Sequence, residues 1–186
     1  SAGRCVGLVC MLFLTANNSL LFARQPTTAM KQEADEFFVK GQLLFKAGKH
    51  HEALQAFQLA YEIAPNVGVL INIAICYREI GNVPKAVSTL RRYLAGMPKG
   101  SDTSIVEGEL AELLTKVVEV EVVCLRDGVP LKQEENICRI RIDGVARGRA
   151  PLSVVLKPGL REIVAQWEGR TVTRKVALSA GEQTSI

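Results

Sequence analysis

A single spacing of 33 residues constrains this chain more than any other feature. Gly41 aligns with Ala74, Leu44 with Tyr77, Gly48 with Gly81, Ala53 with Ala86, Phe57 with Leu90, and Pro65 with Pro98, each pair 33 residues apart. Self-similarity at a period between 20 and 50 residues is the mark of a supersecondary unit repeated in tandem. The residue types give the unit a shape. Gly41, Ala74, Ala53 and Ala86 are small, as two closely approaching antiparallel helices require. Gly48 and Gly81 suit the left-handed residue that ends a helix. Pro65 and Pro98 forbid the second helix of each unit to continue. The spacing therefore predicts two helical hairpins, with helix beginning near Met30.

These positions resemble the tetratricopeptide repeat. The first copy is Phe37-x-x-Lys40-Gly41-x-x-Leu44, then Ala53-x-x-x-Phe57 and Pro65. The second is Leu70-x-x-Ile73-Ala74-x-x-Tyr77, then Ala86-x-x-x-Leu90 and Pro98. Phe37 and Leu44 stand where the family usually has Trp and Tyr, and Lys40 stands where Leu is common. Two such units bury too little surface alone, because stacked repeats draw stability from their neighbours. Ser101 to Val118 supplies a terminal capping helix, with Ser101-Asp102 as its N-cap and an apolar stripe of Ile105, Leu110, Leu113, Leu114 and Val117.

At Val118 the apolar period changes from helical to alternating. Val118, Val120, Val122 and Cys124 share one face, with Glu119 and Glu121 on the other. A second strand puts Cys138, Ile140 and Ile142 inward and Arg139 and Arg141 outward. Asp127-Gly128, Asp143-Gly144 and Pro158-Gly159 read as turns. A strand runs through Val154-Val155-Leu156, and Arg161–Trp167 and Thr171–Leu178 form a hairpin around Glu168-Gly169-Arg170. Short strands punctuated this way predict a small antiparallel sandwich. Ile140-x-Ile142-Asp143-Gly144, Gly148-x-x-Pro151-Leu152, Lys157-Pro158-Gly159 and Ala180-Gly181-Glu182 resemble the PEGA domain, an extracytoplasmic β module of bacteria. Leu125–Ile137 is longer and more charged than that family's first hairpin. On this likeness Ile186 falls where a last strand is due to begin, which gives the expectation of a truncated β domain.

The fold class that follows is multidomain α + β: two tetratricopeptide-like hairpins and a capping helix, then a small antiparallel β-sandwich. The expected divisions are 1–23 signal peptide, 24–30 linker, 31–118 helical domain and 119–186 β domain. The signal rests on Arg4 followed by the apolar run Cys5 to Leu14, with cleavage after Ala23. Such a run suits a secretory signal and is too short to span a bilayer. The two resemblances together imply an exported protein of the bacterial periplasm or cell envelope. Membrane contact is then expected only through the N-terminal signal or anchor, or through a missing C-terminal segment.

Charge narrows the partners. Lys and Arg number 23 against 19 Asp and Glu, spread so evenly that no region has the concentrated basic field nucleic acid needs. No nucleophile motif, phosphate-binding loop or metal-ligand spacing is present, so no enzyme, cofactor or metal is expected. His50 and His51 read as a solvated turn. Arg139, Arg141, Arg147 and Arg149 read as the wet face of a strand and its loop.

The tetratricopeptide resemblance implies a concave face lined by the first helix of each hairpin. Its groove positions fall on Phe38, Gln42, Phe45 and Lys46, then on Ile71, Asn72, Ile75 and Arg78. Apolar groups beside amide and cationic ones suit a peptide with an acidic or C-terminal carboxylate group. The alternative for the apolar members is packing against the cap or the β domain. The expected function is a non-catalytic scaffold or adaptor that grips a protein or peptide. The other class is a cell-wall or carbohydrate-binding module with the helices as spacer, which would draw on Trp167, here placed in the core beside Ile163 and Ala165. Cys124 and Cys138 face inward on what should be neighbouring antiparallel strands, open to a disulfide or to two reduced core thiols.

Overall fold

The computed structural model describes residues 26–126, 128–130 and 138–186. The expected signal over 1–23 and Asp127 of the expected Asp127-Gly128 turn lie outside them.

Among the described residues five helices come first: α1 (Thr28–Lys46), α2 (His50–Ile63), α3 (Val69–Glu79), α4 (Val83–Gly96) and α5 (Ser104–Leu114). Each packs on the next in chain order. Helix α1 begins before the expected linker ends, because Thr27 Oγ1 accepts a hydrogen bond from the Met30 amide and caps it. The 33-residue offset extends to individual hydrogen bonds. Lys49 N–H donates to Leu44 O and Gly48 N–H to Phe45 O. Asn82 N–H donates to Tyr77 O and Gly81 N–H to Arg78 O. With φ of 74° at Gly48 and 71° at Gly81, both turns are Schellman caps, which satisfy the last carbonyls of α1 and α3.

Gly41 is buried where α1 crosses α2. A Cβ placed on it would lie 2.7 Å from Phe57 Cε1, so glycine sets how closely the two helices approach. Phe57, Leu70, Val87, Leu90, Leu113 and Val117 belong to one buried cluster. The capping helix differs from expectation in two ways. Its N-cap is Thr103, and Asp102 instead accepts from the Ser104 amide and hydroxyl just ahead of the helix. Ile105 is 84% exposed, because it lies off the face of α5 that carries Val106, Leu110, Leu113 and Leu114 onto the core.

Among the described residues nine strands follow: β1 (Val118–Val122), β2 (Leu125–Arg126), β3 (Val129–Pro130), β4 (Arg139–Ile142), β5 (Val145–Arg149), β6 (Leu152–Leu156), β7 (Gly159–Trp167), β8 (Arg170–Leu178) and β9 (Gln183–Ser185). They form a three-stranded sheet in the order β6-β1-β9, a four-stranded sheet in the order β5-β4-β7-β8, and the small β2-β3 ribbon. Val118, Val120, Val122 and Leu156 from one sheet share a buried cluster with Ile140, Ile142, Ile163 and Leu178 from the other. Asp143-Gly144 and Glu168-Gly169 have positive φ at both residues, the two-residue hairpin turn whose twist matches the strands.

Three strand expectations are corrected. First, β1 and β4 are not neighbours: β1 pairs with β6 and β9, β4 with β5 and β7. Second, the strand due after Ala180-Gly181-Glu182 is present as β9, and it runs parallel to β1 rather than antiparallel. Third, Val118 is already β1, so the helical part ends before it. The helices and sheets touch where α4 meets β6, and the guanidinium of Arg91 on α4 is hydrogen-bonded to the Glu119 carboxylate on β1.

Candidate functional site

The eight candidate groove residues lie on α1 and α3, and the structure gives them different tasks. The Phe38 ring packs on Phe57 of α2, with centroids 5.4 Å apart, while its outer edge stays open. The Phe45 ring meets the edge of His50 at 4.9 Å. Phe38, Phe45 and Ile71 are half-buried against the helical core. Asn72 and Ile75 are also half-buried, and Gln42 and Lys46 are exposed. Phe38, Phe45 and Ile71 thus form the rim of the core, each giving one side to packing and keeping the other for solvent.

Arg78 is not a waiting cation. Its Nη1 lies 2.7 Å from Glu109 on α5 and its Nη2 lies 2.8 Å from the neighbouring Glu79. The hydrogen bonds Arg78 donates to Glu79 and the charge of both carboxylates raise its pKa above the ordinary arginine value, against a smaller cost of burial. Arg78 straps α3 to α5, and a ligand carboxylate at this end would have to take the place of Glu109.

At the opposite end, the start of α1, the end of α2 and the start of α3 enclose a groove of about 580 Å³. Lys31, Asp35, Phe38, Asn66 and Val69 are among its lining residues. Sequence reasoning found only Phe38 of these. The available signal for the others was Asn66 after Pro65: an Asx turn, with Asn66 Oδ1 accepting from the Gly68 amide at 2.9 Å, opens α3 toward the groove.

His50 departs from its reading as a solvated turn residue. It is half-buried on Phe45, and its Nδ1 is buried without a hydrogen-bond partner. The Schellman turn folds the first residue of α2 back over the last turn of α1. His51 is exposed. Among the described residues no group of three or more His, Cys, Asp or Glu side chains could hold a metal ion, and no helix is long and apolar enough to cross a membrane.

In the β region, Cys124 and Cys138 are disulfide-bonded, with Cα atoms 6.6 Å apart. The bridge joins the end of β1 to the start of β4, between the two sheets rather than between neighbours in one. Trp167 is half-buried rather than sealed in the core. It lines a mostly apolar cavity of about 220 Å³ with Ile163, Ala165, Val172 and Arg174. Arg139 and Arg149 are cross-strand partners and exposed, as the wet-face reading expects. No family model matches this chain, and no curated protein matches it.

Proposed function

We propose that the chain is a non-catalytic scaffold or adaptor of the bacterial cell envelope, exported to its working place. In this reading the helices are tetratricopeptide-like hairpins with a cap, and the two sheets are a PEGA-like sandwich. The helices grip a partner protein or peptide along α1 and α3. One observation carries the reading: Phe38, Phe45, Ile71 and Ile75 keep open surface beside Gln42 and Asn72, and a groove of about 580 Å³ begins at Phe38. Large side chains half-open beside hydrogen-bonding groups are what a docking surface offers an incoming chain. Glu109 occupies the Arg78 fork in the free protein and stands in for a partner's carboxylate.

The test is selection of peptides from a displayed library on the full chain. Enriched sequences should carry an acidic or terminal carboxylate and lose binding to Phe38→Ala and Arg78→Ala. Enriched sequences indifferent to both substitutions would remove the basis for the reading.

A second reading has one observation behind it. The open edge of Trp167 at the 220 Å³ cavity favours a β region that binds cell-wall or carbohydrate material, with the helices as spacer.

A further inference from the structure

Helix α1 carries an apolar pair on the side against which none of the described residues packs. Ala34 and Gly41 mark its buried stripe. At 3.6 residues per turn, Val39 and Leu43 point roughly 180° away from that stripe. Val39 is 52% and Leu43 63% exposed, although the centre of a solvent face is where a surface helix is normally polar. With Glu36 and Lys40 they border a shallow hollow on the outer surface of α1. These four sit at i, i+3, i+4 and i+7, the set that forms the hole receiving a knob from a facing helix.

The flanking charges say which helix fits. Glu36 and Lys46 are equally far on either side of position 41, and so are Val39 and Leu43. Neither Glu36 nor Lys46 has an ion-pair partner among the described residues, and both are exposed. A second α1 laid antiparallel, with a two-fold axis at position 41, sets Val39 against Leu43 of the copy and Glu36 against Lys46 of the copy. Leu43 then enters the hollow of the other molecule, and the reverse contact follows by symmetry. A parallel pairing would instead set Glu36 against Glu36 and Lys46 against Lys46. Self-complementarity of this kind is the property of an isologous interface.

We propose that α1 is a homodimerisation surface that takes a second copy of this chain antiparallel, through Val39, Leu43, Glu36 and Lys46. The inference does not rest on the groove between α1 and α3, although Lys46 lies at the border of the two faces. One helix pair covers less than the ~800 Å² per partner of a standard interface, so the dimer is weak, with a dissociation constant on the order of 0.1 mM.

The experiment is sedimentation equilibrium of the full chain from about 10 µM to 1 mM, a range that brackets such a constant. The mass should rise from monomer toward dimer. Leu43→Glu should remain monomeric throughout while keeping the wild-type circular dichroism spectrum. Glu36→Lys and Lys46→Glu should each weaken the dimer about tenfold, since each acts twice by symmetry and replaces attraction with repulsion. The double swap should restore wild-type association. Three results would overturn the proposal. One is a monomer at every concentration, including one in which residues 1–25 cover the pair. Another is a dimer indifferent to Leu43→Glu. The third is a double swap no better than either single change.

Discussion

The sulfurs of Cys124 and Cys138 are bonded across the gap between the two sheets, one just past β1 and the other just ahead of β4. Because β1 and β4 share no ladder, the bridge is a covalent tie between layers otherwise held by side-chain packing. Closing a loop of sequence separation 14 stabilises the β region by about 3 kcal/mol, chiefly by restricting the unfolded chain. Unfolding followed through Trp167, the single tryptophan, should shift to lower denaturant in reductant or in Cys124→Ala/Cys138→Ala. An unchanged midpoint would contradict this.

Gly41→Ala should destabilise the helical part by about 1–3 kcal/mol, since the new methyl meets the Phe57 ring inside van der Waals contact. Adding Phe57→Leu should recover part of the loss by opening room at that spot. Urea unfolding by circular dichroism checks both. Gly41→Ala as stable as wild type would mean that α1 and α2 do not cross there.

How much of this was readable in advance follows from locality. The 33-residue offset, with Gly48, Gly81, Pro65 and Pro98 as punctuation, led directly to α1 through α4, because helices and their caps are set by nearby residues. The alternation around Ile140 and Ile142 likewise gave strands and their inward faces. Strand partnership is non-local, so Cys124 and Cys138 could be read as neighbours when they sit on opposite sheets. Ile105 looked like core by period, but Val106, one position on, is the first-turn residue of α5 that packs on the core. Of the eight groove candidates, Phe38 is the one that lines the groove between the start of α1 and the end of α2. The capture of Arg78 by Glu109, and the contribution of Lys31, Asp35 and Asn66, depend on how separate helices meet.

The tie between helices and sheets should depend on pH. Burial pushes the Glu119 carboxyl pKa up, but hydrogen bonds from Arg91 and Gln183 outweigh it, leaving it below the ordinary 4.5. A carboxylate with a lowered folded-state pKa contributes its stability above its unfolded value and loses it as pH falls through the folded one. Arg91→Gln should therefore cost up to about 1 kcal/mol at neutral pH, and the difference from wild type should vanish in acid well below pH 4.5. A difference that persists unchanged there would rule out this ion pair as its source.

Cys76 should be inert in the native protein. Burial, with a smaller contribution from Glu79, pushes its pKa up to about 11, and it is fully buried within α3. A thiol reagent at about pH 8 should label it only after unfolding, since the thiolate is the reactive form. Stoichiometric labelling of Cys76 in the folded chain would show that α3 opens readily.

The proposed scaffold role stands or falls on whether one partner touches both α1 and α3. Photo-crosslinking amino acids placed at Gln42 and at Asn72 probe the candidate face, and one at Glu62, exposed near the end of α2, serves as control. Exposed to envelope extract under light, the full chain should give the same crosslinked partner from positions 42 and 72 and none from 62. Adducts equally abundant from all three positions, or no common partner from 42 and 72, would contradict the account.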